Sequence, residues 1–199
     1  MSVVIGICGT NFCSLIADGR LVVGDYPNLM VVNEKVMKVF KINDRVLIGG
    51  AGWFQGDEEI TSPLDIYPDN DSITLTTAVD AIVRYIEKRI DAIATTRNYL
   101  VGGKDELGNY GLYRIQYNAA TRDLVVIPQI PQPPHNNFAV ACCFPPKIKG
   151  RYDEFFSKVC NSITSSQFHD QVIRKTAQVI AEIANIDESV NTNILTFTI

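Results

Sequence analysis

The first fifty residues constrain the fold most strongly, because they consist of short apolar segments separated by turn residues. Gly9, Thr10 and Asn11 lie between the first two segments in the pattern of a hairpin. Segments this short and this rich in Val and Ile are typical of antiparallel β-strands. The pattern predicts strands at residues 3–8, 12–18, 21–23, 36–42 and 45–48, with a glycine-rich turn at 49–52.

The hydrophobic period changes after residue 70. Apolar residues from Val79 to Ile93 recur at helical spacing, and Thr74 is a candidate N-cap in front of them. Two more helices are predicted over residues 149–162 and 168–184. Strand-like segments lie at 109–117, 123–127, 138–143 and 193–199, and the proline-rich stretch 128–137 predicts a loop.

The order of these elements is strands, one helix, strands, two helices and a final strand. This order favours an α+β protein over a series of βαβ units, and two antiparallel sheets flanked by helices satisfy it. No internal repeat and no long linker interrupts the sequence. We therefore expect residues 1–199 to form a single domain.

The composition excludes several classes of function. Hydrophobic residues make up 46 % of the chain, charged residues make up 20 %, and the net charge is −4. Lys and Arg form no basic stripe, so the sequence indicates no nucleic-acid partner. No apolar run approaches the roughly 20 residues of a membrane helix, and no secretory signal precedes the first strand. We expect a cytoplasmic protein without a membrane partner, whose mature chain begins at or next to Met1.

The cysteines and histidines do not predict a metal site. Five cysteines and two histidines are present, and Cys142 and Cys143 are adjacent rather than spaced as a metal-binding pair. Most of the cysteines lie in apolar segments, which is typical of reduced, buried thiols in a cytosolic protein. The sequence indicates no metal and no cofactor.

The start of the chain is a candidate for catalysis by an N-terminal nucleophile. A small second residue favours removal of the initiator methionine, and a serine at the new terminus can use its own α-amine as the base. A buried lysine nearby would lower the pKa of that amine from about 8. An aspartate can hold the lysine, and a backbone N–H at a glycine turn can stabilise the oxyanion. The candidates are Ser2 as nucleophile, Lys38, Asp18 and Gly52.

Each of these residues also has an ordinary structural explanation. Ser2 can be an unremarkable chain start, Lys38 can be the solvent-facing residue of an alternating strand, and Gly52 can simply form a turn. The order and the spacing of the four residues support the chemical interpretation.

In this order and spacing the chain resembles proteasome β subunits and bacterial HslV. The segments that carry the resemblance are Ser2-Val-Val-Ile-Gly-Ile7, Ile16-Ala-Asp-Gly-Arg20, Met37-Lys-Val-Phe-Lys-Ile42 and Asp44-Arg-Val-Leu-Ile-Gly-Gly-Ala-Gly52. With Ser2 on the family's N-terminal threonine, Asp18 falls without a gap on its aspartate. Lys38 falls on its catalytic lysine after a few extra residues in the loop 26–34, with Lys35 as the fallback.

The resemblance implies a four-layer αββα sandwich, the N-terminal-nucleophile hydrolase fold. It implies a peptidase that acts on peptides or unfolded protein inside a homo-oligomeric ring, with an ATPase as a partner if the likeness to HslV extends to function. Gly52 takes the place of the oxyanion-hole residue, and Asp57 that of the aspartate beginning the first helix. Asp187, followed by Thr192-Asn193, takes the place of a second supporting aspartate.

The sequence departs from the family in three places. Ala141-Cys-Cys-Phe-Pro-Pro146 stands where the family has Gly-Ser-Gly, which would put Cys142 at the position of the supporting serine. The stretch 61–72 is rich in Pro and Asp where relatives have a helix. Ser2 replaces threonine and lacks the methyl group that restricts its rotamer.

These departures leave two other functions open. One is a catalytically silent structural subunit of such a ring, and the other is an amidase that acts on small molecules. A cysteine nucleophile is least favoured, because Cys8 and Cys13 lie in predicted strands and read as core residues.

Overall fold

The computed structural model describes residues 2–24, 26–52, 54, 58–166 and 168–199. The strands within these ranges are β1 (Val4–Gly9), β2 (Cys13–Asp18), β3 (Leu21–Val23), β4 (Met30–Asn33), β5 (Val39–Lys41), β6 (Val46–Gly52), β7 (Arg97–Lys104), β8 (Tyr110–Asn118), β9 (Asp123–Gln129), β10 (Phe138–Cys143) and β11 (Ile194–Thr198). The helices are α1 (Glu58–Thr61), α2 (Leu75–Lys88), α3 (Tyr152–Thr164) and α4 (His169–Ala184).

The strands pair antiparallel in three sheets. The first sheet has the order β10-β1-β2-β11, and the second has the order β5-β6-β7-β8-β9. In the first sheet Val4 lies between Cys143 of β10 and Ala17 of β2. Strands β3 and β4 form a separate two-stranded hairpin. The start of the chain therefore lies inside a sheet, with one neighbouring strand on each side.

Most of the strands predicted from the sequence are present. The strand predicted at 36–42 is shorter, since β5 begins at Val39 and Lys38 lies just before it, and three further regions differ. The predicted loop at 26–34 contains strand β4. All four of its side chains are exposed, so its apolar residues do not alternate with polar ones in the way that predicts a strand. The predicted turn at 49–52 is the continuation of β6, which pairs with β7 as far as Gly52 and Arg97.

Strand β7 was not predicted, and its glycines explain why. Gly102 lies against the first sheet, where an added Cβ would come within 2.3 Å of the Cys13 sulfur. A glycine here lets the two sheets approach closely, but it also removes the side chain that would mark a strand in the sequence.

The three helices predicted from the sequence are present as α2, α3 and α4, with different ends, and α1 (Glu58–Thr61) is a fourth helix of one turn. Thr74 caps α2, and its side chain and that of Thr77 form a reciprocal capping box. The helix ends at Lys88, although Ile93 beyond it is still buried. Residues Pro146–Arg151 form a 3-10 helix, so α3 begins at Tyr152 rather than at residue 149.

Three clusters of buried side chains hold these elements together. Helix α2 packs on one face of the second sheet, for example through Ile82 and Ile86 near Tyr99. Helices α3 and α4 pack on the first sheet. The third cluster contains residues of both sheets, such as Leu15 and Leu100. The protein is thus a mixed α and β structure of antiparallel sheets with helices packed against them.

The helices within the described residues were also compared with the requirements of a membrane span. None of them is both long enough and apolar enough to cross a bilayer.

Candidate active site

Asp18 ties the start of the chain to the end of β2. Its carboxylate accepts a hydrogen bond from the Val3 backbone N–H at 2.8 Å and another from the Arg20 backbone N–H at 3.0 Å. The Asp18 N–H in turn donates to the Val3 carbonyl at 3.3 Å. Because Val3 is held on both sides of its backbone, Ser2 is fixed at the end of the first sheet.

Lys38 forms a buried ion pair with the same carboxylate. Its Nζ lies 2.9 Å from Asp18 Oδ2, and the exposed fractions of the two residues are 4 % and 0 %. Burial lowers the pKa of the Lys38 ammonium, and the charge and hydrogen bond of Asp18 oppose that shift. Lys38 is therefore linked to the start of the chain through Asp18, which also accepts the hydrogen bond of the Val3 N–H.

The two lysines considered from the sequence have different environments. Lys35 is exposed, and its backbone N–H bonds the side chain of Asn33. Lys38 is buried and reaches Asp18. The interpretation of Lys38 as a solvent-facing strand residue is wrong, since its side chain points into the protein.

Ser2 and Gly52 line one cleft of about 200 Å³. Ser2 is only 8 % exposed. Gly52 has φ of +124°, and an added Cβ there would come within 2.7 Å of the Thr96 carbonyl oxygen. Both the backbone angle and the close neighbour require glycine. The other residues of the cleft are Ala51, Thr96, Asn98, Arg114, Cys143, Phe144, Pro145 and Pro146.

Cys143, rather than Cys142, faces the cleft. Cys142 lies in the cluster between the first sheet and α3 and α4, whereas Cys143 belongs to the cluster shared by the two sheets and lines the cleft. Burial raises the pKa of the Cys143 thiol to about 11, partly offset by the nearby Arg114 charge. Cys143 is therefore a neutral thiol at pH 7, not a ready nucleophile.

Asp187 is fully buried next to a different group of side chains. Its Oδ1 accepts from the Ser189 N–H at 2.9 Å and from the Ser189 hydroxyl at 2.7 Å, and the Tyr26 hydroxyl also donates to it. Its Oδ2 is buried without a partner among the described residues. Asp187 is not among the residues that line the cleft with Ser2.

The segment that follows Asp187 nevertheless contacts the residues next to Asp18. The Asn191 side chain accepts a hydrogen bond from the Gly19 N–H at 3.0 Å, directly after Asp18. Its amide nitrogen donates to the Glu34 carbonyl at 2.9 Å. This bridge supports the segment between Asp18 and Lys38, and the sequence analysis did not identify it.

The far wall of the cleft, which includes Thr96, Asn98 and Arg114, was not predicted from the sequence. Thr96 directly precedes the unpredicted strand β7, and Asn98 is the second residue of that strand. Arg114 lies in β8, where the alternation of Leu112, Arg114 and Gln116 with Tyr113, Ile115 and Tyr117 was available as a signal. The predicted position of Asp57 lies outside the described residues.

The described side chains include no group of three or more His, Cys, Asp and Glu residues that could hold a metal ion. The groups around Ser2 are its own hydroxyl, the buried ion pair of Lys38 with Asp18, and the backbone N–H groups of the cleft.

Comparison with known proteins gives a clear result for the fold alone. No protein-family model matches the sequence, and no curated protein matches it. Among solved structures, the chain is similar to the crystal structure of eukaryotic HslV from Trypanosoma brucei. The TM-score is 0.60 over 98 % of each chain, with 13 % sequence identity. The chain has an HslV-like fold. At this identity the similarity leaves the nucleophile and the activity to be argued from the site.

Proposed function

We propose that this protein is a proteasome- or HslV-like peptidase that cleaves peptide bonds through Ser2 after removal of Met1. The observation that carries the proposal is the buried Lys38–Asp18 pair, hydrogen-bonded to the residue that follows Ser2, beside a cleft that Ser2 and Gly52 share. The HslV-like fold agrees with it. The four-layer αββα arrangement and a single domain over residues 1–199 are part of the same proposal.

In the proposed reaction the Ser2 hydroxyl attacks the substrate carbonyl, and the free α-amine of Ser2 takes its proton. The positive charge of Lys38 lowers the pKa of that amine, which keeps it unprotonated near neutral pH. Asp18 holds Lys38 in position, and the Gly52 N–H stabilises the oxyanion. The protonated amine then gives its proton to the leaving amine, which leaves an acyl ester on Ser2. Water, activated by the same amine, hydrolyses this ester.

Asp187 is proposed as a supporting residue at a distance. Its carboxylate and the Asn191 bridge order the segment that contacts Gly19, next to Asp18. Its role would then be to position Asp18, without touching substrate.

A catalytically silent subunit of a ring is the second candidate, and Cys143 favours it. The resemblance puts the supporting serine at the position of Cys142, whereas Cys143 lines the cleft, and it is a buried neutral thiol rather than a hydroxyl. A thiol is a weak hydrogen-bond partner, so the base would have less support than in a serine-containing site.

Turnover of a peptide with a fluorogenic leaving group tests the proposal. We expect activity from protein whose N-terminal residue is Ser2, complete loss in Ser2→Ala, and retention in Ser2→Thr, which keeps the hydroxyl. Ser157→Ala, on the exposed surface of α3, is the control and should behave as the unaltered protein. Equal residual turnover in Ser2→Ala and Ser157→Ala would overturn the proposal.

We further propose that the chain assembles into a homo-oligomeric ring in the cytoplasm, with peptide or unfolded protein as substrate and an ATPase as a partner. The HslV-like fold supports this assembly. Light scattering on the purified protein tests it, since a monomer at all concentrations would contradict it.

A further inference from the structure

Among the described residues that line the cleft beside Ser2, one type of charge is present. Of the ten residues that line it, only Arg114 carries a charge at pH 7. The remaining polar groups are the neutral side chains of Ser2, Thr96, Asn98 and Cys143. The nearest carboxylate in the proposed mechanism, Asp18, is already bound to Lys38. A substrate group that enters this cleft therefore meets a cation without a bound anion.

Five arginines form no ion pair among the described residues, namely Arg45, Arg84, Arg89, Arg114 and Arg174. Arg84, Arg89 and Arg174 are exposed, and Arg45 donates a hydrogen bond to the Asp105 carbonyl at 2.7 Å, whereas Arg114 is partly buried. Arg20, Arg97, Arg122 and Arg151 each form an ion pair with a carboxylate, at distances between 2.5 and 3.0 Å. Arg114 takes part in none of the ion pairs formed among the described residues, and its Nε is buried without a hydrogen-bond partner there.

The described neighbours of Arg114 do not neutralise it. Its guanidinium lies close to the Cys143 thiol and the Tyr152 hydroxyl. Burial raises the pKa of Cys143 to about 11 and also raises that of Tyr152, so both groups are uncharged at pH 7. An uncompensated, partly buried cation is costly unless a ligand completes it.

Strand β8 explains why the guanidinium reaches the cleft. Arg114 pairs with Leu100 of β7 and Ile127 of β9, so its side chain projects from a strand that has a neighbour on each side. Leu112, two residues earlier on the same face, is buried in the cluster between the sheets. The aliphatic part of Arg114 therefore follows the packed interior, and its charged end lies at the cleft.

We propose that Arg114 binds a carboxylate of the substrate, so that this site prefers peptides with an acidic group next to the bond that Ser2 attacks. The guanidinium is suited to this ligand, because it can donate two parallel hydrogen bonds to one carboxylate. The carboxylate can be an Asp or Glu side chain or the carboxyl terminus of a peptide. The inference rests on the proposed function in taking the ligand to be a peptide.

Binding to the Ser2→Ala protein tests the inference without requiring catalysis. Three peptides separate the two sources of the carboxylate: Ac-Leu-Leu-Glu-NH₂, Ac-Leu-Leu-Gln-OH and the neutral Ac-Leu-Leu-Gln-NH₂. Chemical-shift titration gives their dissociation constants. We expect at least one of the two anionic peptides to bind about tenfold more tightly than the neutral peptide. The peptide that does so identifies the source.

Substitutions of Arg114 assign the preference to this side chain. Arg114→Gln should lower the affinity for the anionic peptides to that for the neutral peptide. Arg114→Lys keeps the charge and should retain part of the preference. Arg84→Gln removes the same charge from the exposed surface of α2 and should change nothing. Circular dichroism of each variant checks that it is folded.

Equal binding of all three peptides, or no binding of any at millimolar concentration, would overturn the inference, whatever the variants do. A preference that survives in folded Arg114→Gln would overturn it too. The proposed function fails separately: a protein with a free Ser2 that binds acidic peptides but never cleaves a peptide refutes the peptidase alone. Turnover without any preference for acidic substrates refutes the role of Arg114 alone.

Discussion

The proposed site has two sides with one cation each: Lys38, which pairs with Asp18 and is not among the residues that line the cleft, and Arg114, which lines it. The two cations have opposite environments. On the β1–β2 side, Lys38 is buried against Asp18, and the carboxylate also accepts two backbone N–H groups. On the β8–β10 side, Arg114 has no ion pair among the described residues and a buried Nε without a partner. In the proposed mechanism the charge satisfied within the protein holds and tunes the site, and we propose that the unsatisfied charge of Arg114 binds a ligand.

The largest expected effect comes from removal of the Asp18 carboxylate, which pairs with Lys38. Asp18→Ala leaves Lys38 buried without its partner and removes the acceptor of the Val3 and Arg20 N–H groups. We expect a loss of about 3–5 kcal/mol in the free energy of unfolding, measured by urea denaturation. Asp123→Ala, at an exposed position of β9, is the control. A similar small loss in both variants would show that the Asp18 pair is not a structural element.

A variant that removes the whole pair separates stability from chemistry. The double substitution Asp18→Asn with Lys38→Met leaves no buried charge, so it should be far more stable than Asp18→Ala. Without the lysine, however, the pKa of the Ser2 amine rises and peptide turnover should fall by about a hundredfold or more. Comparison of kcat with the urea midpoint checks both parts. Full activity in the double variant would remove Lys38 from the proposed mechanism.

A smaller loss of stability is expected from a substitution of Gly52. Gly52→Ala forces a side chain into the φ of +124° and toward the Thr96 carbonyl oxygen at 2.7 Å. The expected cost is about 1–3 kcal/mol in the free energy of unfolding, together with reduced turnover. Gly150→Ala has open space around its Cβ and serves as the control. Equal thermal midpoints for the two variants would contradict the strain assigned to Gly52.

The smallest expected effect is a dependence of stability on pH. Burial lowers the pKa of Lys38 from its ordinary value of 10.5, so the unfolded chain binds this proton more tightly than the folded protein does. In the range between the folded and the ordinary pKa, stability from this group therefore rises with pH. The difference in unfolding free energy between the unaltered protein and Lys38→Met, followed toward alkaline pH, should shift in favour of the unaltered protein. A shift in the opposite direction would mean that the pair with Asp18 outweighs burial.

The same two sides differ in how far the sequence predicts them. The Asp18–Lys38 side could be predicted because the segments around Ser2, Asp18 and Lys38 resemble matching segments of proteasome β subunits and HslV. That resemblance implied that these residues should meet, and the structure brings Lys38 and Asp18 into contact. The assignment of their catalytic roles stays a prediction.

The Arg114 side could not be predicted because it is assembled from distant strands. Strand β7 contains paired glycines and polar residues, and its burial depends on the opposing sheet, so no local pattern marks it. The choice between Cys142 and Cys143 depends on the phase of β10, which is set by the pairing of Cys143 with Val4. A shift of one residue in a strand exchanges its two faces, and the sequence alone does not contain that register.

The central claim is that Ser2 is a free, reactive N-terminal nucleophile. The most direct measurement is mass spectrometry of protein expressed at native level and treated with a serine-reactive peptide warhead. The account predicts a chain that has lost Met1 and carries one covalent adduct on Ser2. The adduct should be absent in Ser2→Ala and much weaker in Lys38→Ala. A retained Met1 with no adduct on Ser2 would contradict the account and would leave Asp18 and Lys38 as a structural ion pair of a silent subunit.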